Sequence, residues 1–354
     1  MQELMDFTIL NWNVAGARYL EAPQSQRGKI RTNLNNELKR LIKQETPNIV
    51  TLQEIVQYGK NKERRKEFID SIDGYNYHPF PLIDTESLSI RAKWNKLEKS
   101  RRNPGGWPKG TYFAQGNAFL FRKDLQHQPV WALPKDGKHK PEVKRRNYVE
   151  KVHLDSGLYF GNRDTEPRAA LVAHFVYNPA ERRKPLDIFV INVHLTTLMV
   201  EREGVPEIDK KAMKIRLGQL DIIFDGIISR YNLWRQQKYH ERGKPKKWEK
   251  WEGKSRYDPV WILAGDFNFT GESREYRYIT NLNFMDMIKH KGGGTKAKGL
   301  GKSATLTLDY VFAGPKYISL DPLITLMSAA NNRVHHDVRV SDHLPMTATI
   351  PIWR

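Results

Sequence analysis

The chain contains no cysteine. That excludes a disulfide framework and any thiolate metal site. It also lacks a long apolar run: stretches such as IFVIN, beginning at Ile188, are far shorter than the roughly 20 residues needed to cross a bilayer. The opening MQELMDFTIL carries two acids and no basic segment, so no secretion signal is expected, and the expected location is cytoplasmic. There is no internal repeat. The Gly-rich GGGTKAKGLGK beginning at Gly292 is the one low-complexity patch.

What is present suits a soluble globular protein with a sizeable core. Hydrophobic residues make up 39% of the chain and charged residues 28%. At 354 residues a single α/β domain spanning 1–354 is the expected organisation. Acidic residues are in deficit: 59 Lys and Arg face 40 Asp and Glu, a net charge of +19. Four stretches of low hydrophobicity, 85–112, 135–151, 235–257 and 289–302, together hold 28 basic and 8 acidic residues. The remainder of the chain is therefore close to neutral, and the excess charge belongs to insertions.

Between the insertions, runs rich in Val, Ile, Phe and Thr predict strands over 7–14, 48–53, 117–121, 169–176, 186–195, 259–264, 306–312 and 344–352. Apolar residues at Ile30, Leu34, Leu38, Leu41 and Ile42 fall on one helical face, which predicts a helix over 30–43. Ile215, Leu220, Ile223, Phe224 and Ile227 do the same for 212–233. So many strands with so few helices between them fit a two-sheet core with helices outside.

Polar residues close these strands. LNWNV carries Asn13, IVTLQE ends at Glu54, and INVHL carries His194. GDFN supplies Asp266 and Asn268, LDYVF supplies Asp309, and SDH supplies Asp342 and His343. Singly, each has an ordinary explanation: Asn13 as a turn cap, GDFN as a tight turn, His194 as a satisfied core histidine. Glu54 resists such a reading, because an unpaired carboxylate after so apolar a run is costly. Together the residues describe a shared site along the rim of a sheet. Hard oxygen ligands such as Glu54 and Asp342 suit Mg²⁺, which takes one or two carboxylates, waters and phosphate oxygens.

In this order, LNWNV, LQE, NVHL, GDFN, LDYVF and SDH resemble the motifs of the endonuclease/exonuclease/phosphatase superfamily, the deoxyribonuclease I-like fold. The six motifs span Asn11 to His343, essentially the whole chain. The resemblance implies a four-layer α/β/β/α sandwich of two mixed sheets flanked by helices. It also implies cleavage of phosphoester bonds by an activated water, assisted by Mg²⁺ or Mn²⁺. Carried over residue by residue, Glu54, Asn13 and Asp342 form the metal environment. Asp266 orients or deprotonates the attacking water, and Asn268 and His194 hold the phosphate. His343, held by Asp309, faces the scissile group. The resemblance leaves open which of Asp266 and His343 is the general base. An imidazole aimed by a carboxylate keeps one tautomer and favours its charged form.

The fold does not choose the phosphate. Inositol polyphosphate phosphatases carry a Pro-Ala-Trp-Cys-Asp-Arg stretch, which a chain without Cys lacks. Secreted sphingomyelinases need an export signal. Abasic endonucleases carry Arg-Ile-Asp-Tyr, whereas here Leu308 precedes Asp309. The insertions mix cations with aromatics: Trp94, Trp107 and Trp248, and in the last insertion Lys289, Lys291, Lys296, Lys298 and Lys302. Cations meet backbone phosphates and aromatics stack on exposed bases, so nucleic acid is the expected partner, DNA ahead of RNA. The alternatives are a protein partner for the insertions, a phosphatase acting on a small anionic substrate, and a catalytically silent binding module. The last would be marked by loss of motif carboxylates, and none is lost.

Overall fold

The computed structural model describes residues 4–60, 62–84, 111–125, 127–128, 149–154, 168–177, 186–196, 206–229, 231, 259–288, 294–297, 304–314 and 332–353. Most of the four basic insertions, including Trp94, Trp107, Trp248, Lys289, Lys291, Lys298 and Lys302, lies outside them.

Strands are numbered β1 to β16 in chain order, and they form two large mixed sheets. In the first, the order is β15 (Arg333–Val334), β16 (Met346–Trp353), β1 (Leu4–Asn13), β2 (Ile49–Gly59), β5 (Tyr112–Arg122) and β4 (Tyr75–Asp84), with β3 (Arg65–Glu67) also paired to β2. In the second, the order is β11 (Met285–Asp286), β14 (Asp309–Gly314), β10 (Val260–Asp266), β9 (Leu186–His194), β8 (Ala169–Tyr177) and β6 (His127–Gln128), with β7 (Val149–His153) also paired to β8. One neighbouring pair in each sheet is parallel, β1 with β2 and β9 with β10; the other pairings are antiparallel. A small hairpin joins β12 (Lys296–Ala297) to β13 (Ala304–Leu306).

Side-chain alternation builds the layers. Phe7 and Ile9 of β1 point into a central core shared with Val190, Ile262 and Val311 of the other sheet. Leu10 and Trp12 point the opposite way, into a second core. There they meet Leu34, Leu38, Leu41 and Ile42 of helix α2 (Gln24–Glu45), beside the short helix α1 (Gly16–Glu21). On the far side, Phe189, Ile191, Trp261 and Leu263 pack against Leu220, Ile223, Phe224 and Ile227. These belong to helix α3 (Pro206–Asp221) and its π-helical continuation Ile222–Ser229. Helix α4 (Arg274–Asn281), capped by Ser273, adds Tyr276 and Ile279 to the same core. The result is helices, sheet, sheet, helices, the four-layer sandwich implied by the motifs. No helix among the described residues is long and apolar enough to cross a membrane.

The readings of 7–14, 169–176 and 186–195 fall on β1, β8 and β9. The run 306–312 proves to be two strands: the backbone leaves the ladder at Leu308, where the amides of Leu308 and Asp309 both donate to Thr295 Oγ1 at 3.1 Å. Strand β4, YNYHPFPLID, was not anticipated. Pro79 and Pro81 argue against a central strand, but β4 lies at a sheet edge, where prolines are tolerated.

Candidate active site

Because parallel strands share a direction, β1 and β2 end on the same edge of their sheet, as β9 and β10 do on theirs. That carboxyl edge is where open α/β sheets gather their chemistry. Register does the rest. In the second sheet Asp266 lies opposite His194 on one side and Asp309 on the other, so three adjacent strands present a rank of polar side chains. In the first, Asn13 lies opposite Gln53, immediately before Glu54.

Glu54 sits where the β2–β5 register slips between Leu52 and Ile55. Its φ of 55° is left-handed, a conformation that costs a non-Gly residue about 1–3 kcal/mol. Such a bulge re-aims a side chain out of the pleat. Gly16 makes room beside it: a Cβ there would lie 2.1 Å from the Glu54 carbonyl oxygen. Gly265 serves Asp266 likewise, since a Cβ at that position would fall 2.0 Å from the Val193 carbonyl oxygen.

The side chains converge from both sheets. Asn13 Nδ2 donates to Asp266 Oδ2 at 2.9 Å and to Glu54 Oε1 at 3.3 Å. His194 Nε2 lies 3.6 Å from Asp266 Oδ2 and 3.9 Å from Glu54 Oε1. His343 Nε2 approaches Asp266 Oδ2 to 3.7 Å, and its Nδ1 meets Asp309 Oδ2 at 2.8 Å. The Asn268 amide donates to Asp266 Oδ1 at 3.0 Å, and Asn268 Nδ2 donates to the Leu195 carbonyl at 3.1 Å. Asn268 is itself left-handed (φ 53°), a region Asn tolerates. Asp342 forms an ion pair with Lys296, whose Nζ also lies 2.8 Å from His343 Nε2. Of the five lysines read from sequence as phosphate-facing, Lys296 is the one described, and it points into this cluster.

Asp266 is fully buried, and burial, joined by the charge of Asp309, pushes its carboxyl up to about 6 against the opposing pull of His343, Lys296 and Asn13. For His343, burial opposes the charged ring, but the carboxylates of Asp309 and Asp266 outweigh it and raise the imidazole to about 9. The Lys296 contact works the other way. Lys296, whose Nζ lies 2.8 Å from Nε2, opposes the charged ring through its own charge.

Three positions escaped the sequence reading. Ser341 Oγ donates to the Asn13 carbonyl at 2.9 Å and accepts from the His343 amide at 3.2 Å, joining two motifs 328 residues apart. Thr295 holds the Asp309 amide, and Trp12 Nε1 donates to the His343 carbonyl at 3.0 Å. Ser341, adjoining Asp342 and His343, and Trp12, adjoining Asn13, lay where a signal could be seen.

A divalent cation fits this donor set. Glu54 and Asp266 bring two carboxylates against the same amide, and Asp309 Oδ1 is buried without a hydrogen bond among the described residues. Oxygen-rich surroundings of this kind suit a hard ion. Asp266, Asp309 and His343 also offer atoms within 4.8 Å of one another. Both nitrogens of that ring are engaged, however, so the trio reads better as a hydrogen-bonded relay than as a cage.

Residues 222–343 match the model of the Endonuclease/Exonuclease/phosphatase family. That segment carries Asp266, Asn268, Asp309, Asp342 and His343. No curated protein matches the chain by sequence. Among solved structures, an endonuclease/exonuclease/phosphatase family protein from Bacteroides thetaiotaomicron is similar at a TM-score of 0.54 and 13% identity, over 99% of this chain and 97% of that one. A mannosyl-6-phosphatase from Bacteroides thetaiotaomicron VPI-5482 is similar at 0.50 and 15% identity, over 98% and 99%. A functionally unknown conserved protein from Enterococcus faecalis V583 is similar at 0.50 and 14%, over 97% and 99%. At these identities the likeness is one of fold. Residues 222–343 are thus similar in sequence to the endonuclease/exonuclease/phosphatase family, and the whole chain is similar in fold to a solved member of it.

Proposed function

We propose that the chain is a divalent-metal-dependent phosphodiesterase that hydrolyses nucleic acid, DNA in preference to RNA, with water as the nucleophile. The observation that carries this reading is the meeting, at one rim, of a buried carboxylate of raised proton affinity, Asp266, and an imidazole aimed by a second carboxylate, His343 on Asp309. Asp266 accepts the proton of the attacking water. With its carboxyl near 6 it is ionised at neutral pH yet more basic than an ordinary aspartate, as a general base should be. His343 stabilises the charge that builds on the phosphate, and Asp309 keeps its ring oriented. Asn268, whose Nδ2 has a second hydrogen beyond the one given to Leu195, and His194 hold phosphate oxygens. Glu54 and Asn13, with Asp342 as the resemblance has it, hold a Mg²⁺ or Mn²⁺ ion. When bound, such an ion supplies Lewis-acid stabilisation of the phosphoryl charge.

The nucleic-acid part rests on the four basic insertions with their interleaved tryptophans. Supercoiled plasmid, single-stranded DNA, RNA and a hexose phosphate, each incubated with Mg²⁺ or with EDTA, test it. Plasmid nicking in Mg²⁺ and none in EDTA is expected. Release of inorganic phosphate from the hexose phosphate, with every nucleic acid intact, would overturn it in favour of a small anionic substrate.

A further inference from the structure

We propose that Lys296 is the resident counter-cation of Asp342: it takes this carboxylate in place of a divalent ion, and the site binds a single metal, at Glu54. The proposal rests on the metal-dependent reading above and alters one part of it, since the resemblance counts Asp342 among the metal ligands.

Lys296 lies in a lysine-rich, glycine-rich stretch that reads as a solvated loop, yet its backbone is fixed on both sides. It pairs with Leu306 in the β12–β13 hairpin and bridges to His343 across the other edge. The Ala297 amide donates to the Asp342 carbonyl at 2.8 Å, and the Leu344 amide donates to the Thr295 carbonyl at 2.7 Å. The hairpin is thus stitched, residue by residue, to the loop that carries Asp342 and His343. A lysine mounted this way is a preorganised charge and not a mobile surface arm.

Its ammonium has three donors. Nζ meets Asp342 Oδ2 and lies 2.8 Å from His343 Nε2, and the lysine and aspartate side chains are only 23% and 7% exposed. A carboxylate so far removed from water needs a counter-charge, and the protein provides one. A divalent ion on the same oxygen would sit against the ammonium and be repelled by it. Glu54 differs. Among the described residues it contacts no lysine or arginine, only Asn13 and His194, so its charge has no built-in cation. The two carboxylates are therefore inequivalent: Asp342 already carries a cation on Oδ2, although its Oδ1 is buried without a hydrogen bond among the described residues, whereas Glu54 carries no cation among them.

The test is Mn²⁺ binding, with free ion counted by electron paramagnetic resonance, on the wild type and on Asp342→Asn, Glu54→Gln, Lys296→Met and Lys296→Arg. Thermal unfolding in EDTA verifies that each variant is folded. One Mn²⁺ per chain is expected in the wild type. Asp342→Asn should keep it with Kd changed by less than about tenfold, whereas Glu54→Gln should weaken it by more, the loss expected when a ligand goes. Lys296→Met should take up a second ion, and Lys296→Arg, which keeps the charge, should not. Two ions in the wild type, a loss beyond about tenfold in Asp342→Asn, retention in Glu54→Gln, or a single ion in Lys296→Met would each overturn the proposal. A wild type that binds no Mn²⁺ removes the metal-dependent reading and this proposal with it; binding lost only in Asp342→Asn removes the proposal alone.

Discussion

Replacing the proposed base should make the protein more stable. In Asp266→Asn the buried carboxylate becomes a neutral side chain of nearly the same shape. The folded protein raises this carboxyl from 3.8 to about 6, chiefly through burial and secondarily through the charge of Asp309. A folded-state value above the unfolded one means that the native protein holds the extra proton through that interval. The stability contributed by the neutral acid is complete below about 3.8 and is lost as pH rises through 6. Above 6 the native state carries an unfavourable buried charge. A shift of roughly 2 units at 1.36 kcal/mol each makes that burden about 3 kcal/mol. Asn carries none of it. For a chain of this size, with about 2 cal/mol/K of unfolding entropy per residue, the gain corresponds to about 4 °C in Tm. Calorimetry in EDTA at pH 8 and pH 4 measures it. The variant should melt higher at pH 8, the difference should vanish towards pH 4, and hydrolysis should be abolished. Equal melting at pH 8, or a larger advantage at pH 4 than at pH 8, would refute the claim that Asp266 is held ionised against its surroundings.

The same carboxyl predicts a pH profile: kcat/KM should climb through about 6 as Asp266 ionises and decline towards 9 as His343 loses its proton, with His343→Gln abolishing the alkaline limb. Asp309→Asn should lower kcat on the order of 10²-fold or more by favouring the wrong tautomer, with the melting temperature little changed; a near-native rate would remove Asp309 from the mechanism. Neutralising Lys289, Lys291, Lys298 and Lys302 together should flatten the log–log salt dependence of duplex affinity by about 3.6, at roughly 0.9 per phosphate contact, in gel-shift titrations. An unchanged slope would assign that insertion to another partner.

The layers were legible because each strand's alternation needs no tertiary information. Phe7 and Ile9 against Leu10 and Trp12 already divide β1 between two cores, and the Leu34, Leu38 and Leu41 spacing already names the face of α2. Elements were lost where local rules conflict with position in the sheet. Pro79 and Pro81 disqualify a central strand but not the edge strand they occupy. The break between β13 and β14 depends on Thr295 reaching the amides of Leu308 and Asp309. No pattern within 306–312 encodes that contact.

The site divides along the same line. Asn13, His194 and Asp266 end their strands, Asp309 begins one, and Glu54, read as closing a strand, stands at a bulge midway along β2; register brings them to one rim. Their departures from ordinary folding preferences were not legible in sequence. Glu54 holds a left-handed backbone at a bulge, and Asp266 keeps a carboxylate out of water. Strain and buried charge persist only where surrounding structure over-determines them. Here that structure is Gly16 and Gly265 at close backbone contacts, Ser341 tying Asn13 to His343, and Thr295 tying the hairpin to Asp309. Residues 294–297 of the Gly-rich stretch, which reads as the least structured part of the chain, are therefore a structural support of the candidate site. Their Thr295 fixes Asp309, and their Lys296 engages Asp342 and His343 of the SDH motif. Glycine content predicts backbone freedom, and Gly294 uses it to approach Leu306, where a Cβ would lie 2.6 Å from backbone nitrogen and oxygen. Close packing against β13, and not flexibility, is what that glycine permits.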